Sequence, residues 1–338
     1  MTASIARRAL LGSALALPAI RSARAATPIR IGFIPVIGCA PLFVVNGSGW
    51  AKEADLQLQL TQFESGPNAI QAVASGTLDA YVAGFAPVAV VRSRGVDLRI
   101  VAATAVEEFA VVARGGLAQA FAKAPNAKQA LAAFTASEGR RPKLATQPAG
   151  SVPNTLLQYW LREQAKADPA TYEIVAMGID ATQQALLARA VDGAIVREPA
   201  LTILRDRDTT MAIAATGNDL FPNQPGGVLA LTGAFIQREP RAATELVRLF
   251  ARATRLLNET RDAAVPAIAA ALGKGIVPDD VIRRALHSPA SKFAVDPRTI
   301  MGPMRALLEY QVTLGATTEA PPPEGLFDDS LYLRAIKG

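Results

Sequence analysis

Arg197 and Glu198 stand side by side ahead of Pro199. A guanidinium is a planar fork of donors that can hold a sulfonate, carboxylate or similar oxyanion with two bonds at once. The glutamate beside it can accept from an ammonium group, or can simply neutralise the arginine. Helix starts offer a second kind of anion chemistry. Ala149-Gly150-Ser151 precedes apolar residues at helical spacing (Leu156, Leu157, Trp160, Leu161), so Ser151 reads as an N-cap with Pro153 inside the first turn. The free N–H groups of such a terminus suit an anionic oxygen. Ser65-Gly66, ahead of a helix over 69–75, and Ala40-Pro41 offer two more termini; each also reads as an ordinary capped helix. Asp180 is expected to cap a helix over 181–190. Nucleophilic chemistry has little to draw on, since the chain holds one Cys and one His. Cys39 lies in the loop after the first strand and His287 in a C-terminal helical stretch, with nothing to bring them together.

Composition narrows the classes further. The chain has 338 residues, 50% hydrophobic and 19% charged, enough for about two domains with real cores. One thiol excludes an internal disulfide framework, and so few Cys and His exclude a zinc site built from them. Basic residues are scattered and aromatics make up 6%, which argues against nucleic acid as the partner. Residues 1–25 carry Arg7, Arg8, Arg21 and Arg24 and no acid, so the net charge of +6 falls to +2 without them. Arg7-Arg8, a short apolar stretch over 9–17 and Ala23-Arg24-Ala25 form the ordered parts of a cleaved twin-arginine signal peptide. Its apolar part is too short to span a bilayer. No cysteine near the cleavage point offers a lipid anchor. The expected location is the periplasm.

The elements that must position these groups alternate along the chain. Strands are expected at 29–34, 56–60, 79–83 and 98–103, then at 143–146, 172–177, 194–196 and 211–215. Helices fall between them, over 41–53 and 69–75 among others. Such alternation predicts an α/β architecture with mainly parallel sheets. An Ala-rich stretch over 115–139, with Pro125 inside, reads as an inserted helical segment. The C-terminal third is helical, and Pro321-Pro322-Pro323 marks an extended tail. Gln71–Val82 and Gln184–Ile195 share one pattern, a helix, a turn ending in Asp, then a short buried strand. Each copy runs on into a loop ending in Pro, at Gly84-Phe85-Ala86-Pro87 and at Arg197-Glu198-Pro199. Two similar lobes would set those loops face to face across a cleft, where open α/β sheets bind their ligands.

Several segments together resemble the periplasmic solute-binding proteins of ABC importers, in the sulfonate, taurine and nitrate group. They are Ile31-Gly32-Phe33-Ile34-Pro35 with Ala40-Pro41-Leu42-Phe43-Val44, then Phe63-Glu64-Ser65-Gly66-Pro67 and Ala74-Ser75-Gly76-Thr77-Leu78-Asp79. In the second half they are Ala149-Gly150-Ser151, Val191-Asp192-Gly193-Ala194-Ile195-Val196 and Glu198-Pro199. The resemblance implies a two-lobed type II periplasmic-binding-protein fold, each lobe a mainly parallel sheet flanked by helices. Lobe I would hold 26–112 and 229–338, lobe II 113–228, with crossings near 109–114 and 228–235. It implies ligand contacts from Cys39, Ala40, Glu64, Ser65, Gly66, Gly84, Phe85, Gln147, Gly150, Ser151, Asn154, Asp180, Arg197 and Glu198. Phe33, Phe85 and Trp160 would line an apolar wall or pack in the core.

On that resemblance the chain is a monomeric binding protein, not an enzyme, with no cofactor, metal or catalytic residues. It captures a small organic anion, alkanesulfonate- or taurine-like, and passes it to a membrane permease driven by a separate ATPase. The family often has an aromatic residue where Arg197 stands, which loosens any transfer of ligand identity. Nitrate, bicarbonate or a thiamine-pyrimidine precursor are the alternative solutes. An enzyme on the same scaffold and a sensor for a membrane receptor are the alternative roles. The branch that makes thiamine pyrimidine uses a cysteine-rich segment that this chain lacks.

Overall fold

The computed structural model describes residues 26–272 and 277–337. The expected signal peptide therefore lies outside the described residues. Among the described residues twelve strands follow one another: β1 (Thr27–Phe33), β2 (Leu56–Gln62), β3 (Ala80–Gly84), β4 (Leu98–Ala103), β5 (Ala105–Val106), β6 (Phe109–Ala113), β7 (Lys143–Thr146), β8 (Glu173–Ala176), β9 (Gly193–Arg197), β10 (Ala212–Thr216), β11 (Gly227–Thr232) and β12 (Lys292–Phe293). Ten of them form two five-stranded sheets, in the orders β2-β1-β3-β11-β4 and β10-β6-β9-β7-β8; β5 and β12 pair as a short ribbon.

Each sheet has four strands running one way and one running the other. The reversed strands are β11 in the first sheet and β6 in the second. Both follow directly on a passage from one sheet to the other, so the chain enters its new sheet from the far side. Those passages lie at 104–108 and 217–226. The crossings expected near 109–114 and 228–235 are thus corrected, because most of those residues belong to the strands β6 and β11 within the sheets, and Gly233 begins a helix, Gly233–Arg238. The apolar runs of β6 and β11 are buried throughout but for Thr232, as strands covered on both faces should be. In β6, Ala110 and Val112 face one hydrophobic cluster while Phe109, Val111 and Ala113 face the other, which is the period of a pleated strand.

The helices flank the sheets much as the apolar spacing predicts, with adjusted ends. The expected helix over 41–53 is two, Ala40–Gly47 and Trp50–Glu53, split where Gly49 adopts a φ of 80°. The Ala-rich segment is also two helices, Gly115–Lys123 and Ala127–Glu138, with Pro125 between them and the Asn126 side chain capping the second. The long helix Pro240–Glu259 buries Leu246, Val247, Leu249, Phe250, Ala253 and Leu257 on one face. The helix Arg298–Thr313 reaches the second sheet's flank. Tyr310 packs edge-on against Tyr159 at 5.2 Å, and Gln311 Nε2 donates to the Gly150 carbonyl at 3.4 Å. After the prolines the tail lies along the first sheet, with Asp328 N donating to the Ile100 carbonyl. No helix among the described residues is long and apolar enough to cross a membrane.

The internal echo is structural. The helix Gly66–Ala74 leads to β3, and the helix Ile179–Leu187 leads to β9; both strands hold the third place from the outer edge of their sheets. Gly76 and Arg189 turn the chain with φ of 74° and 62°. Asp79 and Asp192 then accept from the backbone N–H of Arg30 and Lys143 on the neighbouring strand, at 3.1 and 2.8 Å. Each is gripped by an arginine fork, Arg30 at 2.8 and 2.9 Å and Arg140 at 2.7 Å twice. Burial pushes both carboxyls up, but their arginine and backbone donors outweigh it and hold them below the ordinary aspartate value.

Candidate functional site

The loop that ends the second echoed unit meets the loop after β1, not the loop at 84–87. Ile37 N, after β1, donates to the Glu198 carbonyl after β9 at 2.9 Å, and Ile179 N donates to the Glu64 carbonyl at 3.2 Å. A Cβ on Gly84 would lie 2.6 Å from Val152, and one on Gly178 3.2 Å from the Glu64 carboxylate. These glycines let the two halves approach closely. Beside them lies a cavity of about 190 Å³, lined by Pro35, Val36 and Gln62 from the first half and by Gln147, Asp180, Thr182, Gln183, Arg197 and Glu198 from the second; Ile179, Ile195 and Ile203 add apolar wall.

Arg197 is the last residue of β9, where the antiparallel register sets it opposite Phe109 of β6. Its guanidinium lies 4.5 Å from the Phe109 ring centre. Nη1 donates to Glu108 Oε1 at 3.0 Å and Nη2 to Gln147 Oε1 at 3.4 Å. Glu108 ends the first passage between the sheets, one residue before Phe109, so the same register brings the carboxylate to the arginine. Arg197 therefore pairs with Glu108 and not with adjacent Glu198. Both partners are buried, with side-chain exposures of 5% and 3%. Burial pushes the Glu108 carboxyl up, and the Arg197 charge acts against it. Around the pair, Thr104 Oγ1, Thr146 Oγ1, Gln224 Oε1, Arg197 Nε and Glu108 Oε2 are buried with no hydrogen-bond partner among the described residues. Glu198 is also buried, its Oε2 accepting from Thr202 N at 3.0 Å, and its carboxyl is raised by burial.

Of the residues expected to bind ligand, Gln147, Asp180, Arg197 and Glu198 line the cavity, and Glu64 touches the chain where it closes. Asp180 is not the helix cap; that place belongs to Gly178, and Asp180 stands in the first turn of Ile179–Leu187. Ser65 and Ser151 do cap their helices, each Oγ accepting from the N–H three residues on at 3.3 Å, from Asn68 and Asn154. Asn154 Oδ1 is engaged by Gln158 at 3.0 Å. Gly66 packs against Tyr81 and Pro87, and Ala40 and Phe85 are in the core, as are Phe33 and Trp160. Cys39 is buried, its thiol donating to the Val82 carbonyl at 3.3 Å and pushed up to about 12 by burial and by the Glu108 charge. His287 pairs instead with Asp262, at 2.9 Å.

Glu108 is the residue that sequence reasoning missed. Its only signal is the doublet Glu107-Glu108 abutting a wholly apolar run, a charge placed where a strand is about to be buried. Among the described residues no group of His, Cys, Asp and Glu could hold a metal ion.

Residues 22–273 match the family model described as the NMT1-like family. A stretch of 239 residues is 26% identical to the nitrate import ATP-binding protein NrtC of Synechococcus elongatus (strain ATCC 33912 / PCC 7942 / FACHB-805), covering 69% of this chain. The matched stretch spans 36% of that relative's length. Among solved structures, the periplasmic nitrate-binding protein NrtA from Synechocystis PCC 6803 superposes with a TM-score of 0.76 at 14% identity, over 92% of this chain and 88% of that one. The ligand-binding component of an ABC-type import system from Staphylococcus aureus, with zinc bound, gives 0.73 at 18%, over 91% and 99%. The alkanesulfonate-binding protein SsuA from Xanthomonas axonopodis pv. citri, bound to MOPS, gives 0.70 at 17%, over 90% and 99%. At these identities the likeness is one of fold, and the fold is that of periplasmic binding proteins.

Proposed function

Because this chain belongs to the NMT1-like family, we propose that it is the solute-binding component of an ABC-type import system. It captures a small organic anion, alkanesulfonate- or taurine-like, between its two lobes. The observation that carries this reading is Arg197, a buried guanidinium on the wall of the interlobe cavity. A buried cation within reach of a small solute is placed to take up oxyanion oxygens, and a low-polarity surround strengthens each such bond. The names of the similar proteins, which include sulfonate and nitrate binding and ABC-type import, support the same role.

In this reading the first lobe comprises the sheet of β1–β4 and β11 with its helices, and the second the sheet of β6–β10. The solute bridges them. Gln62 and Val36 meet it from one side; Gln147, Asp180, Arg197 and Glu198 from the other. Bound solute favours the closed arrangement, held by the Ile37–Glu198 and Ile179–Glu64 backbone bonds, and the closed form is what docks on a membrane permease powered by a separate ATPase. The signal at 1–25 exports the chain to the periplasm, where it acts as a monomer.

Thermal-shift and calorimetric titration of the mature chain against alkanesulfonates, taurine, nitrate, bicarbonate, aromatic carboxylates and pyrimidines tests this. Saturable stabilisation by a small organic anion, without turnover, is expected; a solute at 100 times its Kd adds about 2.7 kcal/mol. Arg197→Lys, which keeps the charge but loses the fork, is expected to weaken the solute by about tenfold. Stabilisation by uncharged heterocycles alone would overturn the anion assignment.

A further inference from the structure

Arg197 carries its counter-ion with it. The Glu108 carboxylate meets Nη1 at 3.0 Å in a site closed to solvent. It is wedged between Gly38 and Gly226, where a Cβ would lie 1.9 Å from Oε2 and 3.0 Å from Oε1 respectively. Any side chain at Gly38 would displace the carboxylate, so the backbone here is shaped around Glu108. A guanidinium with a fixed carboxylate at hydrogen-bond distance has no surplus positive charge. A bare anion entering beside it is attracted by Arg197 and repelled by Glu108 at similar range, with little solvent to screen either. The other charges point the same way. Arg197 is the single cation among the described residues lining the cavity, and the lining carboxylates are Asp180 and Glu198.

We propose that Glu108 is a specificity-determining residue: by neutralising Arg197 from behind, it turns the cleft into a site for small zwitterions, in which an ammonium group lies a few atoms from a sulfonate or carboxylate. The solute's oxygens take N–H groups of Arg197 that Glu108 and Gln147 leave unused. Its ammonium group lies towards Asp180 and Glu198, whose oxygens accept from it. Arg197 Nε and Glu108 Oε2 are both buried and unpartnered among the described residues, so the ion pair carries a spare donor and a spare acceptor. A ligand with both signs answers that need and leaves the charge of the cavity unchanged. The inference rests on the import-cleft reading above and narrows its solute class.

The test is calorimetric titration with matched pairs that differ by an amine: 2-aminoethanesulfonate against ethanesulfonate, and 3-aminopropanoate against propanoate. The wild-type protein is expected to bind the amino member of at least one pair about tenfold or more tightly. Glu108→Gln keeps the shape but frees the charge of Arg197, and is expected to reverse the order: the bare anion gains and the zwitterion loses. A purely structural role would weaken both members alike, and that result overturns the proposal. Equal or tighter binding of the bare anions by wild type also overturns it, while leaving the import reading intact. Binding of no member, nor of nitrate or bicarbonate, overturns both. If Glu108→Gln fails to give a cooperative melt, the wild-type preference decides alone.

Discussion

Arg197 and Glu108 are 89 residues apart in the chain and form one buried ion pair. Removing one member of such a pair strands an uncompensated charge in the interior. Arg197→Ala is therefore expected to lower stability by about 3–5 kcal/mol, and Arg197→Met combined with Glu108→Leu to recover most of the loss. Chemical denaturation of Arg197→Met, Glu108→Leu and the double variant measures this, and additive losses would refute the coupling. At this scale the sequence was half legible. Arg197 stands out because a charge at the end of an apolar strand, before a proline, invites an explanation. Glu108 does not, because its meaning depends on the antiparallel register between β6 and β9, which no local pattern states.

At the scale of elements the period-two and helical spacings carry most of the information. Strand ends at 98–103 and 143–146 agree with the spacing alone, and the echo Gln71–Val82 with Gln184–Ile195 corresponds to equivalent units in two sheets. The reversed strands β6 and β11 were misplaced for a physical reason. A continuous apolar run is compatible with a strand buried on both faces or with a segment threading between lobes, and periodicity does not separate them. The echoed aspartates belong to this scale too, since each ties a strand start to its neighbour. Their folded values lie below the ordinary aspartate value, so their stabilisation is complete above about pH 4 and is lost as pH falls through the depressed values. Asp192→Asn is expected to cost about 1–2 kcal/mol at neutral pH, with partial exposure of Arg140 keeping the figure small. Its stability should converge with wild type in acid. A constant gap across a urea-denaturation series from pH 7 to pH 3 would count against this.

For the whole molecule, the proposed closure turns on a few close approaches between the two halves. Gly178 lies against Glu64, and Ile37 against Glu198. Gly178→Leu places a bulky side chain into the first of these contacts without touching Arg197. It is expected to hold the lobes apart and to weaken the solute by about tenfold, since the binding-competent fraction falls. Small-angle scattering should then show no decrease in radius on adding solute, whereas wild type is expected to contract. A variant that contracts normally and keeps its affinity would mean that this contact does not gate closure. The residues lining the cavity come together only at this scale, because the segments that form its two walls lie far apart in the chain.

The reversed strand β11 has a consequence for how the protein is made. Residues 109–216 hold every strand of the second sheet, whereas the first sheet stays split until β11 slips between β3 and β4. A chain leaving the ribosome can therefore finish its middle before its beginning. The N-terminal strands, synthesised first, must wait with exposed edges for a partner made more than a hundred residues later, a window in which a holding chaperone has something to grip.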